Sequence, residues 1–101
     1  MPGPEAAIER KCRDLVEVHG DELFKVKFAG RVGFPDRLLV VCFGGSRRRF
    51  ARHILCEFKR PGEVPSKNQV AVHNELRQAG MEVWVIDNYD TFERRYNASR
   101  K

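Results

Sequence analysis

Leu38-Leu39-Val40-Val41-Cys42-Phe43 is an unbroken apolar run that ends at Gly44-Gly45. Successive side chains of a strand point to opposite faces of its sheet, so a strand without a polar position has no face to offer to water. The run therefore predicts a central strand buried on both faces, followed by a hairpin turn at the two glycines. Such a strand needs covering layers on both sides.

The segments around it supply those layers. Over residues 5–19 the apolar residues Ile8, Cys12, Leu15 and Val16 recur with helical spacing, and Gly20 stands where that helix would stop. Leu23, Phe24, Val26 and Phe28 lie between two glycines and predict a short strand over 22–29, with a loop over 30–35. The run 50–59 splits by parity: Ile54, Cys56 and Phe58 share one face, while His53, Leu55, Glu57 and Lys59 share the other. After a turn marked by Pro61, Gly62 and Pro65, Ser66 is placed to cap a helix that runs to Ala79 and stops at Gly80. On that helix Gln69, Val72, His73 and Leu76 fall on one face. Residues 81–86 predict a further buried strand with Trp84 in the core, and 90–96 a short closing helix before the basic end Ser99-Arg100-Lys101. The order α, β, β, β, α, β, α describes an α/β fold whose mixed central sheet carries helices on its faces.

A chain of 101 residues that is 42% hydrophobic has material for one domain and one modest core, and the whole of 1–101 is expected to form it. Charged residues make up 33% and the net charge is +5, which biases the surface toward anionic partners, nucleic acid first among them. No apolar stretch approaches the roughly 20 residues needed to span a bilayer, and the N-terminus lacks the apolar centre of a signal peptide. The expected location is the cytoplasm, with no membrane partner and no organic cofactor. Cys12, Cys42 and Cys56 are odd in number and far apart in apolar surroundings, so they read as reduced core residues. Neither they nor His19, His53 and His73 fall at zinc-finger spacings.

Two acids stand where an ordinary core would not put them: Asp36 at the mouth of the apolar strand, and Glu57 inside another strand between Cys56 and Phe58. A buried carboxylate without a partner is costly, and one divalent cation satisfies two at once. Lys59 lies two residues past Glu57 on the same face, where its ammonium would stabilise charge on a phosphate or orient an attacking water. An E-x-K triplet alone is weak evidence, since a solvated salt bridge on a strand gives the same letters. The ordered set is more specific: Gly33-Phe34-Pro35-Asp36-Arg37, a glycine hairpin, Glu57-Phe58-Lys59, and then Gln69 on the following helix.

With Ile8-Glu9 eleven residues before Gly20, Lys27-Phe28, the continuation Arg60-Pro61-Gly62, His73 and Leu76 after Gln69, and the strand from Gly80 to Asp87, this set resembles the virus-type replication-repair nuclease family, VRR-NUC, of the PD-(D/E)xK nuclease superfamily. The resemblance covers about residues 5–93, leaving 94–101 as a basic tail. It implies a restriction-endonuclease-like fold and a phage- or bacterium-encoded endodeoxyribonuclease, in which a metal-activated water cuts a DNA phosphodiester and the 3′ oxygen departs. It further implies that Asp36 and Glu57 bind Mg²⁺ or Mn²⁺ together with the backbone carbonyl of Phe58, and that Lys59 serves the water. By the same resemblance Glu9 completes the metal shell directly or through water, and Gln69 approaches the site from the second helix. Small members of the family resemble homodimeric Holliday-junction resolvases. A flap- or nick-directed nuclease is the alternative within the same chemistry, and a non-catalytic DNA-binding module of a replication-repair complex is the alternative outside it.

DNA contacts are expected from Lys27, from Arg31 and Arg37 beside Asp36, and from Arg47, Arg48 and Arg49 at the hairpin, where close-packed guanidinium groups repel one another unless they meet phosphates. That hairpin is longer than in compact family members. His73 is expected to face the sheet, either as a hydrogen-bond partner of the site or as a core-border histidine satisfied by backbone.

Overall fold

A computed structural model describes residues 3–43 and 50–100. The elements are α1 (Pro4–Val18), β1 (Glu22–Lys25), β2 (Arg37–Phe43), β3 (Phe50–Phe58), α2 (Lys67–Gln78), β4 (Glu82–Ile86) and α3 (Tyr89–Ser99). Their order is the expected αβββαβα. The strands form one mixed sheet in the order β1-β2-β3-β4, antiparallel across β1–β2 and β2–β3 and parallel across β3–β4. Parallel neighbours need a long crossover, and α2 with its flanking turns provides it. Among the described residues no helix is long and apolar enough to cross a membrane.

Parity in the sheet decides where the core sits. Leu39 and Val41 of β2, Ile54 and Cys56 of β3, and Trp84 and Ile86 of β4 pack with Cys12 and Val16 of α1 and with Phe92 and Tyr96 of α3. The opposite face of β3 and β4 presents Leu55, Glu57 and Val83, and buried Val72 and His73 come from α2. One helix covers less of a sheet than two. Leu38, Val40 and Cys42 are accordingly half-buried, which corrects the expectation that β2 is buried equally on both faces.

Strand β1 is shorter than the expected 22–29. Its pairing with β2 carries one bond past the strand, from Val26 N–H to the Asp36 carbonyl at 3.0 Å. The chain then leaves the ladder, and Phe28 stacks on Phe34 with ring centroids 4.5 Å apart. The closing helix is longer than expected and takes up most of the supposed tail. Arg100, just past α3, reaches the buried carboxylate of Asp21, which also accepts hydrogen bonds from Tyr96 Oη and from Cys42 N–H at 2.9 Å. Cys12 and Cys56 are buried, Cys42 is half-buried, and all three are free. The expected Gly44-Gly45 turn and Arg47, Arg48 and Arg49 lie outside the described residues.

Candidate active site

The registers of two strand pairs bring the acids together. In β2–β3 Arg37 pairs with Cys56, so one step further Asp36 stands across from Glu57. In β3–β4 Glu57 pairs with Val85, and Lys59 N–H donates to the Ile86 carbonyl at 2.8 Å, which extends that pairing past the strand end and fixes the Lys59 backbone. Gly62 N–H in the following turn donates to Asp87 Oδ2 at 3.0 Å. The E-x-K segment is therefore held on both sides, by the mouth of β2 and by the end of β4.

Asp36 is positioned by the loop before it. Gly33 has φ +99°, and a Cβ there would come within 2.5 Å of Asn68 Nδ2 and 3.1 Å of Val72 Cγ2. Only glycine combines that backbone conformation with so close an approach to α2. Asn68 Nδ2 donates to the Val32 carbonyl at 3.0 Å, and Arg31 pairs with Glu75 at 2.6 Å, so the loop is tied to α2 at two points. Asn68 gave no sign of this in the sequence, because a polar residue in the first turn of a helix looks like any solvated one.

Glu57 is the electrostatic centre of the site. Its side chain is 11% exposed and Oε1 has no hydrogen-bond partner. Burial, reinforced by the charge of Asp36 and opposed by Lys59 and Arg37, pushes its pKa up to about 7. His73 meets it from α2: Nε2, buried and also without a hydrogen-bond partner, lies 3.7 Å from Glu57 Oε1. Burial, then the charges of Arg77 and Lys59, lower the His73 pKa and favour the neutral ring. Among the described residues no backbone group satisfies Nε2, and the ring faces Glu57 as expected of a histidine turned toward the site.

Arg37 links the second acidic element to the first. Its Nε donates to Glu9 Oε1 at 3.1 Å, and its Nη1 lies 3.1 Å from Asp36 Oδ2 and donates to the Asp36 carbonyl at 3.0 Å. Glu9 Oε1 also pairs with Arg13 one turn along α1. Arg37 is thus a half-buried counter-charge inside the acidic group rather than an open guanidinium on the surface. Arg31, paired with Glu75 and lying over the Phe34 ring, is similarly engaged, whereas Lys27 is exposed after β1. Arg52 forms a two-point pair with Glu82 at 2.9 and 3.1 Å.

Gln69 closes the cap of its own helix. Its Oε1 accepts from Ser66 N–H at 2.9 Å while its own N–H donates to Ser66 Oγ at 3.1 Å, a reciprocal cap that starts α2. The expected cap at Ser66 and the expected approach of Gln69 draw on the same side chain, and the cap holds its oxygen. Phe58 packs its ring toward the core, 6.2 Å from Phe92, so only its backbone is left to serve the site.

Among the described residues no three His, Cys, Asp or Glu side chains are grouped closely enough to hold a metal ion, and Glu9 is turned to Arg13 and Arg37. Two carboxylates still suit Mg²⁺, which takes one or two protein carboxylates and fills its remaining positions with water and phosphate oxygens. Burial and the neighbouring charge of Asp36 make the ionised form of Glu57 costly, and a cation would offset that cost. The residues present fit a hard divalent cation.

No family model matches the chain. The chain is 34% identical over 86 residues to "Putative nuclease p44" of Acyrthosiphon pisum secondary endosymbiont phage 1, covering 85% of both sequences. Its fold is similar to a solved structure described as "VRR_NUC domain", with a TM-score of 0.78 and 21% identity over 95% of this chain and 97% of the other.

Proposed function

The chain belongs to the VRR-NUC nuclease family, and from that premise we propose that it is a metal-dependent, structure-specific endonuclease that hydrolyses DNA phosphodiesters, working as a homodimer on branched DNA of the four-way-junction type. The observation that carries the reading is the buried Glu57 carboxylate, one register step from Asp36 across the sheet and two residues from Lys59. A DNA-binding module without catalysis would gain nothing from two carboxylates at that position, where they repel phosphate.

Asp36 and Glu57, with the Phe58 backbone carbonyl, would hold Mg²⁺ or Mn²⁺, which supplies neutralising charge to the phosphate and acidity to a bound water. Lys59 would place its ammonium against the scissile phosphate or the attacking water. Glu9 enters through Arg37 or through water, since its oxygen is already held by two arginines. Arg37 limits the negative charge of the acid pair and lets anionic DNA approach.

A junction has two symmetric strands to cut, and a twofold dimer presents two copies of a small site at fixed separation. Labelled four-way junction, flap, splayed-arm and duplex DNAs incubated with Mg²⁺ or Mn²⁺, alongside light scattering at micromolar protein, test this part. Paired symmetric cuts near the junction centre and a dimeric mass are expected. A monomer that makes single cuts beside a flap would replace the resolvase reading with the flap-nuclease one.

A further inference from the structure

Among the described residues His73 Nε2 and Glu57 Oε1 are two buried polar atoms without a hydrogen-bond partner, and they face each other across 3.7 Å. That separation is too long for a hydrogen bond and closes to one with a movement of less than an ångström. Buried polar groups are rarely left unpaired, so a fold that keeps these two opposed has a use for the contact. Among the described residues the side chains that surround His73 electrostatically are Arg77 on its own helix and Lys59 beside Glu57, both cations that cannot accept a hydrogen bond from it. Glu57 is the acceptor in reach.

Resting on the reading of Asp36 and Glu57 as the metal site, we propose that His73 is a positioning residue of that site: its Nε2–H closes on Glu57 Oε1 and fixes the carboxylate so that Oε2 is presented to the divalent cation. The capped N-terminus of α2 and the packing of Val72 against the Gly33 loop hold the imidazole in place. A carboxylate with one oxygen anchored loses less freedom on binding a cation, which is how groups behind metal ligands raise affinity.

The test uses the full chain with Mn²⁺ as probe, measuring its binding by calorimetry and electron paramagnetic resonance, and cleavage beside it. His73→Gln keeps a nitrogen donor near the Nε2 position, whereas His73→Asn and His73→Leu do not. Loss of the contact should weaken Mn²⁺ binding roughly 10- to 100-fold in the Asn and Leu variants and lower kcat by a similar factor with KM for DNA unchanged. His73→Gln should restore both to within a few-fold of the native protein. A purely structural role would instead follow thermal stability and not donor position. Should Leu destabilise the fold, the Asn and Gln pair, alike in polarity, still separates the two. Native-like Mn²⁺ binding in His73→Asn, or equal loss in Asn and Gln, overturns the inference. Asp36→Asn is the control: if it too binds Mn²⁺ as the native protein does, the metal-site reading falls and takes this inference with it.

Discussion

Asp36 stands directly across the β2–β3 ladder from Glu57, one step beyond the Arg37–Cys56 pair. The Asp36 charge raises the Glu57 pKa, and the repulsion between the two carboxylates is relieved by a cation or by neutralising one of them. Asp36→Asn should therefore abolish cleavage while binding branched DNA as tightly as the native protein or several-fold more tightly in EDTA. A fluorescence-anisotropy titration checks this, and weaker binding by the variant would assign Asp36 a part in holding DNA.

Glu57 gives the metal-free protein a pH signature. Its carboxyl titrates near 4.5 ordinarily and near 7 in the fold, so between those values the native state binds more protons than the unfolded chain. Stability in EDTA should accordingly fall as pH rises from about 4.5 to about 7, by up to about 3 kcal/mol from this one group. Glu57→Gln should flatten that stretch of the profile. Urea unfolding at several pH values measures it, and a variant with the native slope would show the carboxyl to be freely solvated.

Arg37 separates a structural counter-charge from a phosphate contact. With its guanidinium held by Glu9 and Asp36, Arg37→Ala should cost about 1–3 kcal/mol of stability and leave the slope of log affinity against log salt unchanged. If Arg37 grips a phosphate instead, that slope becomes shallower by about one.

Asp21 carries no part of the site and holds the fold shut behind it. Its carboxylate takes hydrogen bonds from Cys42 N–H, Tyr96 and Arg100, so Asp21→Ala strands three donors and should destabilise by about 3 kcal/mol or more. Cleavage per folded molecule should stay native. Denaturant titration with activity at matched folded fraction checks both.

The element order was legible because periodicity and turn residues are local, and the burial of Glu57 was legible because a charge inside an apolar strand stands out, whereas Asp36, expected to be buried with it, is exposed just before β2. Asp21 was not legible: an acid after Gly20 looks like a loop residue until α3 brings Tyr96 and Arg100 to it from 75 and 79 positions away. The engagement of Arg37 with Glu9 spans 28 positions and depends on how α1 lies over β2. The cap at Ser66 was legible, and Gln69, three residues on, completes it.

Hydrolysis should depend on a divalent cation held by Asp36 and Glu57. This dependence is tested most directly by following a 5′-labelled four-way junction on a denaturing gel with native protein and Glu57→Gln, in EDTA and in Mg²⁺. The account predicts product only for the native protein with Mg²⁺, with the variant slowed by at least about 10³-fold although folded and bound to DNA. Cleavage at the native rate in EDTA, or by Glu57→Gln in Mg²⁺, would contradict it.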